Sequence, residues 1–283
     1  MHPQPPAITL SRPTLDAAGL AMLGARWHAV EAASDPSPFQ TWTWVGCNAA
    51  ERFPDPLLIE AHQDGQPVGI ALCNRRRLRL SGDTLWLHES GDPALDAVFT
   101  EHNAPLIACR IAAPDTLLTA LLLAALQPRD GRLPRLAFSG VGDATRAAAL
   151  RTGRVELPDT HRAAPYVDFA AIAPGTAYID RITAGASVVG YLYNLVRGGR
   201  VCAYQSGLDY PGAGPHGKPG LTCHHAAIKA HRARGGISYD FLGGADRYKR
   251  SLANAERTLH WLSVAPPWHP ATMLFRLRRL LSR

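Results

Sequence analysis

Two β-hairpin signatures about 120 residues apart constrain this chain more than any other feature of its sequence. The first is Leu57-Leu-Ile-Glu-Ala61, a turn at Asp64-Gly65, then Pro67-Val-Gly69-Ile-Ala-Leu72. The second is Tyr178-Ile-Asp-Arg-Ile182, a turn at Ala184-Gly185, then Val188-Val-Gly190-Tyr-Leu-Tyr193. Asp-Gly between two β-prone runs is a strong hairpin signal, because glycine accepts the positive φ that tight turns require. Self-similarity at a fixed distance is expected of tandem copies of one unit, with a coincidental pair of hairpins as the alternative.

The residues around each hairpin extend the pattern. In the first half, Thr14 to Trp27 has helical spacing at Leu20, Leu23 and Trp27. The aromatic stretch Phe39 to Val45 fits a short helix or an extended segment, and Thr84 to Leu87 reads as a strand. Helices are expected at 97–100, 115–126 and 144–152, with a strand at Arg135 to Phe138. In the second half, a strand at Gly199 to Gln205 leads into a Gly/Pro-rich loop, Asp209 to Gly220, and a helix from Leu221 to Arg234. A strand at Ile237 to Leu242, a Gly243-Gly244 break, a helix at 246–252 and a strand at Thr258 to Val264 follow. The alternation is α/β or α+β. A chain of 283 residues has room for two such units.

Composition narrows the setting. Hydrophobic residues make up 46% and charged residues 19%, which excludes whole-chain disorder. The longest apolar run, near Leu117 to Leu126, is far short of the ~20 residues that cross a bilayer. The N-terminus carries no secretory signature, so the expected location is the cytoplasm. Five scattered cysteines without a C-x-x-C pair read as reduced, mostly buried small hydrophobes. A net charge of +7 favours an acidic partner: a nucleotide cofactor, a nucleic acid or an anionic membrane surface.

The stretch 209–234 is the most informative for chemistry. Gly212, Gly214, Gly217 and Gly220, with Lys218 among them, immediately precede a helix, whose N-terminus offers backbone N–H groups to an anion. Spacing alone leaves a phosphate loop and a plain flexible loop both open, and Pro219 after Lys218 breaks the P-loop pattern. His216, His224, His225 and His231 cluster beside Cys223, but on a helix His224 and His231 lie about 10 Å apart along the axis, too far for one zinc ion. They are expected to face solvent or phosphate. In the first half, His88-Glu-Ser-Gly-Asp92 and Asp96 with Glu101-His102-Asn103 suit either acid–base work or helix capping and solvation. The C-terminal Met273 to Arg283 segment interleaves leucines and arginines, which suits an anionic membrane, a partner, or packing on its own domain.

Gly190-Tyr-Leu-Tyr-Asn194, Gly199 to Gly207, Lys218-Pro-Gly-Leu221 and Tyr239-Asp-Phe-Leu-Gly-Gly244 with Tyr248-Lys-Arg-Ser251 resemble the C-terminal half of GNAT-type acyltransferases of the bacterial cellulose and exopolysaccharide-biosynthesis group, relatives of the FemAB-like double-GNAT proteins. Pro38 to Trp42 and His88 to Pro93 are similar to that family's N-terminal half. The resemblance implies tandem GNAT-like units with mixed, mostly antiparallel sheets flanked by helices, the second unit shortened. It divides the chain into an N-terminal half at 1–165, a C-terminal, cofactor-binding half at 166–268 and a basic amphipathic tail at 269–283.

The resemblance further implies acetyl-CoA or another acyl-CoA as cofactor, no metal, and a small-molecule or saccharide amine as acceptor. Tyr204, Gln205 and Ser206 would line the acyl end, and Gly217, Lys218 and Gly220, with Lys249, would hold the cofactor. Tyr204 and Asp240 are the candidates for accepting the amine proton and protonating the departing thiolate. Family members carry a long helical, Arg-rich segment between the counterparts of Phe169 and Tyr178, where this chain has about eight residues. That departure opens a non-catalytic adaptor in a polysaccharide-synthesis complex, held at a membrane through 271–283, as an alternative. A third reading, transfer from aminoacyl-tRNA, has only the net charge behind it, and no aromatic interleaving supports nucleic-acid binding.

Overall fold

From the N-terminus the chain forms β1 (Ala7–Ser11), α1 (Ala17–Glu31), a 3-10 turn (Pro38–Gln40) and α2 (Trp42–Arg52). The first hairpin, β2 (Pro56–Gln63) and β3 (Gln66–Leu78), turns at Asp64-Gly65, both with positive φ. It is followed by β4 (Gly82–Leu87), β5 (Leu106–Ile107), α3 (Pro114–Ala125), β6 (Arg135–Val141), α4 (Asp143–Arg151) and β7 (Val155–Asp168). The second hairpin, β8 (Ala177–Ala184) and β9 (Ser187–Arg197), leads into β10 (Arg200–Leu208), the short α5 (Tyr210–Ala213), α6 (Pro219–Ala233), β11 (Ser238–Asp240), α7 (Arg247–Leu252), β12 (Ala255–Ala265) and α8 (Pro270–Leu281). This computed structural model describes residues 5–78, 82–96, 100–129, 131–168, 177–213, 217–244 and 246–281. Most of the helix expected at 97–100, and the short connection at 169–176, lie outside the described residues.

Two compact units emerge: Met1–His161 with His260–Arg283, and Arg162–Leu259. In unit 1 the strand order is β1-β2-β3-β4-β6-β12, with β5 beside β3. All neighbours are antiparallel except β4 and β6, which run parallel. Alternation along the strands sends side chains to opposite faces. Leu57, Ile59 and Ala61 of β2 join Leu117, Leu121 and Leu122 of α3 in one core. Leu58, Ile70 and Leu72 pack on the other face against Leu23, Trp27 and Val30 of α1 and Val45 and Ala49 of α2. The aromatic stretch at 39–45 thus resolves as a 3-10 turn running into α2, capped by the Thr41 hydroxyl accepting from the Trp44 N–H.

Unit 2 repeats the order as β8-β9-β10-β11-β7, with β10 and β11 parallel and the rest antiparallel. Its core joins Ile182, Leu192, Val196, Val201, Tyr239 and Phe241 to Cys223 and Ala227 of α6. The last strands are exchanged: residues 166–168 of β7 pair with β11 of unit 2, whereas residues 260–264 of β12 pair with β6 of unit 1. Cys73, Cys202 and Cys223 are buried, Cys47 and Cys109 exposed, and all are thiols. Among the described residues no helix is long and apolar enough to cross a membrane.

Candidate active site

The parallel contact of β10 with β11 lasts only from Arg200↔Ser238 to Cys202↔Asp240. A bulge between Ala203 and Gln205 then redirects β10, which continues to Leu208 on β9 alone. The gap opens into a cleft of about 610 Å³. Its walls are Ser206 and Leu208 of β10, residues 217–221 at the start of α6, His224, and Arg247, Tyr248 and Ser251 of α7. α6 begins with Pro219 at its first turn, and the Lys218 side chain makes no capping bond. The partial positive charge of this fifteen-residue helix therefore meets Lys218 and Arg247 at one end of the cleft.

Ser206, Gly217, Lys218 and Gly220, nominated by the sequence, are brought together here. Gln205 is exposed on β10 opposite Tyr193, and Tyr204 sits at the bulge with its ring 6.1 Å from that of Tyr193. Asp240 and Lys249 lie outside the lining and hold the turn after β11. The Asp240 carboxylate accepts from the Leu242 N–H at 2.7 Å and faces Arg257 at 3.9 Å. The Lys249 ammonium donates to the carbonyls of Phe241 and Gly243, each at 2.9 Å. Between them Leu242 keeps a φ of 60°, a conformation that costs a non-glycine residue energy and persists only when its surroundings enforce it.

His224 and His231 belong to a chain of polar groups that also takes in the buried Asn194 and Tyr239 and the half-buried Asp180. His231 Nε2 donates to Asp180 Oδ2 at 2.7 Å, and Asn194 Nδ2 donates to the same oxygen at 2.7 Å. Binding a carboxylate through its NH₂ turns the Asn194 carbonyl toward Tyr239, whose hydroxyl donates to it at 3.4 Å. The Tyr239 oxygen then accepts from His224 Nδ1 at 3.0 Å. His224 is thereby held as the Nδ1–H tautomer, with Nε2 as the acceptor nitrogen. Burial and the Lys249 charge push its pKa down to about 4, so the ring is neutral at ordinary pH. It stacks on Tyr248 with centroids 5.4 Å apart, and burial raises the Tyr248 hydroxyl, which keeps its proton. Burial alone would raise Asp180, but His231, Asn194 and Arg234 outweigh it and hold the carboxyl below its usual range. The expectation that His224 and His231 face solvent or phosphate meets a different outcome at each: both are buried, because their spacing of seven puts them on the Cys223–Ala227 face of α6, but His224 also lines the cleft beside Lys218 and Gly220. That spacing was the available signal.

Unit 1 closes the corresponding gap with its own chain. Beyond the β4–β6 pairing, Asn103 bridges Val141, its N–H donating to the Gly140 carbonyl at 3.1 Å and its amide to Leu87 O at 3.0 Å. Thr100, Glu101 and Asn103 are buried in this plug. The residues that could have served acid–base chemistry are consumed there. His88 Nδ1 meets Asn103 Oδ1 at 2.8 Å, and burial lowers its pKa to about 4. Ser139 donates to Glu89 at 2.5 Å, while burial raises that carboxyl to about 8. Asp96 accepts from the N–H groups of Ser90 and Gly91, which makes this segment a self-satisfied loop. Among the described residues no group of three or more His, Cys, Asp or Glu could hold a metal.

Comparison with known proteins agrees with this asymmetry. Residues 158–250, a third of the chain, match the family model described as an acetyltransferase (GNAT) domain, and they coincide with the unit that holds the open cleft. The matched stretch thus marks a GNAT acetyltransferase domain within the chain, and the cleft lies in it. No curated protein matches the sequence.

Among solved structures, the chain shares its fold with the C-terminal DUF2156 domain of a provisionally assigned lysylphosphatidylglycerol synthetase from Agrobacterium fabrum. The TM-score is 0.51 at 8% identity, covering 93% of this chain and 96% of that one. A tandem GNAT protein from the clavulanic acid biosynthesis pathway is similar at TM-score 0.44 and 8% identity, over 92% and 98% of the two chains. The glucosamine N-acetyltransferase region of a fungal multi-domain GH3 β-N-acetylglucosaminidase gives 0.37 at 10% identity over 92% of this chain, which spans only 38% of that protein.

Proposed function

We propose that unit 2 transfers an acyl group from acyl-CoA to an amine acceptor. The observation that carries this reading is the splay of β10 from β11, which opens onto the start of α6 in unit 2 while unit 1 fills its counterpart. An acyl-CoA fits what lines the cleft: the helix N-terminus, Lys218 and Arg247 suit its phosphates, and the β10 edge at 203–208, which no described strand covers, suits its amides. Bound there, it supplies a thioester carbonyl for the acceptor nitrogen to attack. His224 Nε2 takes the proton the amine loses, and the Tyr248 hydroxyl gives a proton to the sulfur as the carbon–sulfur bond breaks. Asp240 and Lys249 hold the turn that presents Tyr248. Tyr204 shapes the acyl end through the bulge that turns Gln205 and Ser206 along the edge. An amino sugar or saccharide amine in polysaccharide biosynthesis is the acceptor class that the sequence resemblance supports.

Transfer from aminoacyl-tRNA gains nothing here. The basic run Arg75, Arg76 and Arg77 is committed to Asp55, Asp92 and Asp83, and among the described residues no such cluster lines the cleft. The assay is thiol release from acetyl-CoA with a panel of amines and amino sugars. Turnover that falls in His224→Gln and Tyr248→Phe is expected; CoA binding without any release would favour the adaptor reading instead. Lys218→Glu should weaken CoA binding, measured by calorimetry, by roughly tenfold, or about 1.4 kcal/mol. Unchanged affinity would remove the phosphate site from this loop.

A further inference from the structure

The C-terminal helix α8 shows both of its faces. Ala271 and Thr272 are buried, the Thr272 hydroxyl donates to the Pro266 carbonyl at 2.9 Å, and Phe275 packs on Leu157 and Ala265. That anchored face fixes the rotation of the helix. The opposite face therefore stays outward, and it is apolar: Met273, Leu274, Leu277, Leu280 and Leu281 are 61, 45, 52, 70 and 79% exposed. At about 100° per residue they form one stripe roughly 120° wide. Arg276 falls on one flank of the stripe and Arg278 on the other, and Trp268, 63% exposed, precedes the helix. From Trp261 to the C-terminus the sequence holds no Asp or Glu.

We infer that α8 is a docking surface for an anionic lipid bilayer, lying in the interface with its leucine stripe among the acyl chains and its arginines at the headgroups. This goes beyond acyl transfer and does not depend on it. Charge selects the occupant. Were the stripe to pair with itself across a two-fold axis, arginines would meet arginines, with no acidic residue in the segment to offset them. A negatively charged surface meets apolar stripe and basic flanks at once, and exposed tryptophan is at home at such an interface. The helix is too short to span, so the association is peripheral.

The test is co-sedimentation of the full-length protein with vesicles of phosphatidylglycerol and phosphatidylcholine, against vesicles of phosphatidylcholine alone. The protein should pellet with the anionic vesicles and be released by salt. Leu277→Glu with Leu280→Glu should cut the partition by about tenfold or more, and Arg276→Gln with Arg278→Gln should weaken it on anionic vesicles only. These side chains are exposed, so unchanged melting temperatures and CoA affinities are expected, and they separate this outcome from any failure of the transferase reading. Absence of binding to anionic vesicles at low salt, or binding undiminished in the leucine variant, overturns the inference. So does a dimer seen by light scattering that the leucine variant dissociates, which would give the stripe to a second copy.

Discussion

His224 and His88 are both buried imidazoles held neutral, and His224 lines the cleft. Each has its Nδ1 proton fixed by an oriented amide or hydroxyl, so that Nε2 is the acceptor; in His88 that atom is buried with no partner beside Trp27. In His224 the orientation starts at Asp180, two hydrogen bonds behind Tyr239. Asp180→Asn and Tyr239→Phe should therefore lower kcat by about tenfold, with KM for acyl-CoA nearly unchanged, whereas His224→Gln should cost about a hundredfold or more. Steady-state kinetics in both substrates checks the split; a KM effect alone would make the chain merely structural. Glu89 supplies a second residue-scale test. Its folded pKa of about 8 lies above the ordinary 4.5, so the folded state holds a proton that the unfolded state releases. The stability this provides is complete below pH 4.5 and is lost as pH rises through 8. Glu89→Gln, which keeps an acceptor for Ser139, should remove that alkaline decline, so its melting temperature should gain on the parent between pH 5 and pH 8. Parallel curves would refute a protonated Glu89.

Helix α6 reaches its strand because Gly190 lets it. A Cβ at Gly190 would lie 3.0 Å from Cys223 Sγ and 2.8 Å from the Gly207 carbonyl, between the helix and β10. Gly190→Ala should lift α6 from β9 and cost about 1–3 kcal/mol, with a loss of CoA affinity because the same helix floors the cleft. Chemical denaturation with and without CoA reads both effects. At this scale much was legible: the hairpins announced themselves through Asp64-Gly65 and Ala184-Gly185, where local turn chemistry decides the structure. The strand expected at Ile237 to Leu242 shrank to Ser238–Asp240, because Asp240 and Lys249 capture the backbone beyond it into a turn. The plug at 100–103 was illegible for a related reason. Thr100, Glu101 and Asn103 are polar, and only the strand edge at Gly140 and Leu87, distant in sequence, gives their burial a purpose. Sequence spacing within α6 does hold the information for His224 and His231: seven residues apart, they share a helix face with Cys223 and Ala227, which rules out a common metal and favours burial.

The exchange of final strands ties each unit to the other's stretch of sequence, and nothing local in the sequence marks it: β12 reads simply as the last strand of its own half, and β7 lies where the pattern predicts no strand, between the helix at 144–152 and the second hairpin. Its consequence falls on unit 1. Leu262 and Val264 of β12 are buried in the core formed with Phe138, Leu136 and Leu85, and β12 covers the edge of β6. Removing residues 255–283 would expose that edge and leave a void where two large side chains stood. At about 2–5 kcal/mol for each deleted core residue, the loss approaches the 5–15 kcal/mol that stabilises a typical domain. Unit 1 contains residues 1–161, so a chain ending at 254 keeps all of that N-terminal sequence and still should not fold cooperatively. A chain ending at 269 keeps β12 and loses the cover that Ala271 and Phe275 give to Leu157 together with the Thr272–Pro266 hydrogen bond; it should melt cooperatively, a few degrees lower. Circular dichroism melts of the two truncations decide the matter. A sharp transition for the 254-residue chain, within a few degrees of the parent, would mean that β12 is dispensable to unit 1 and that the exchange carries little of its stability.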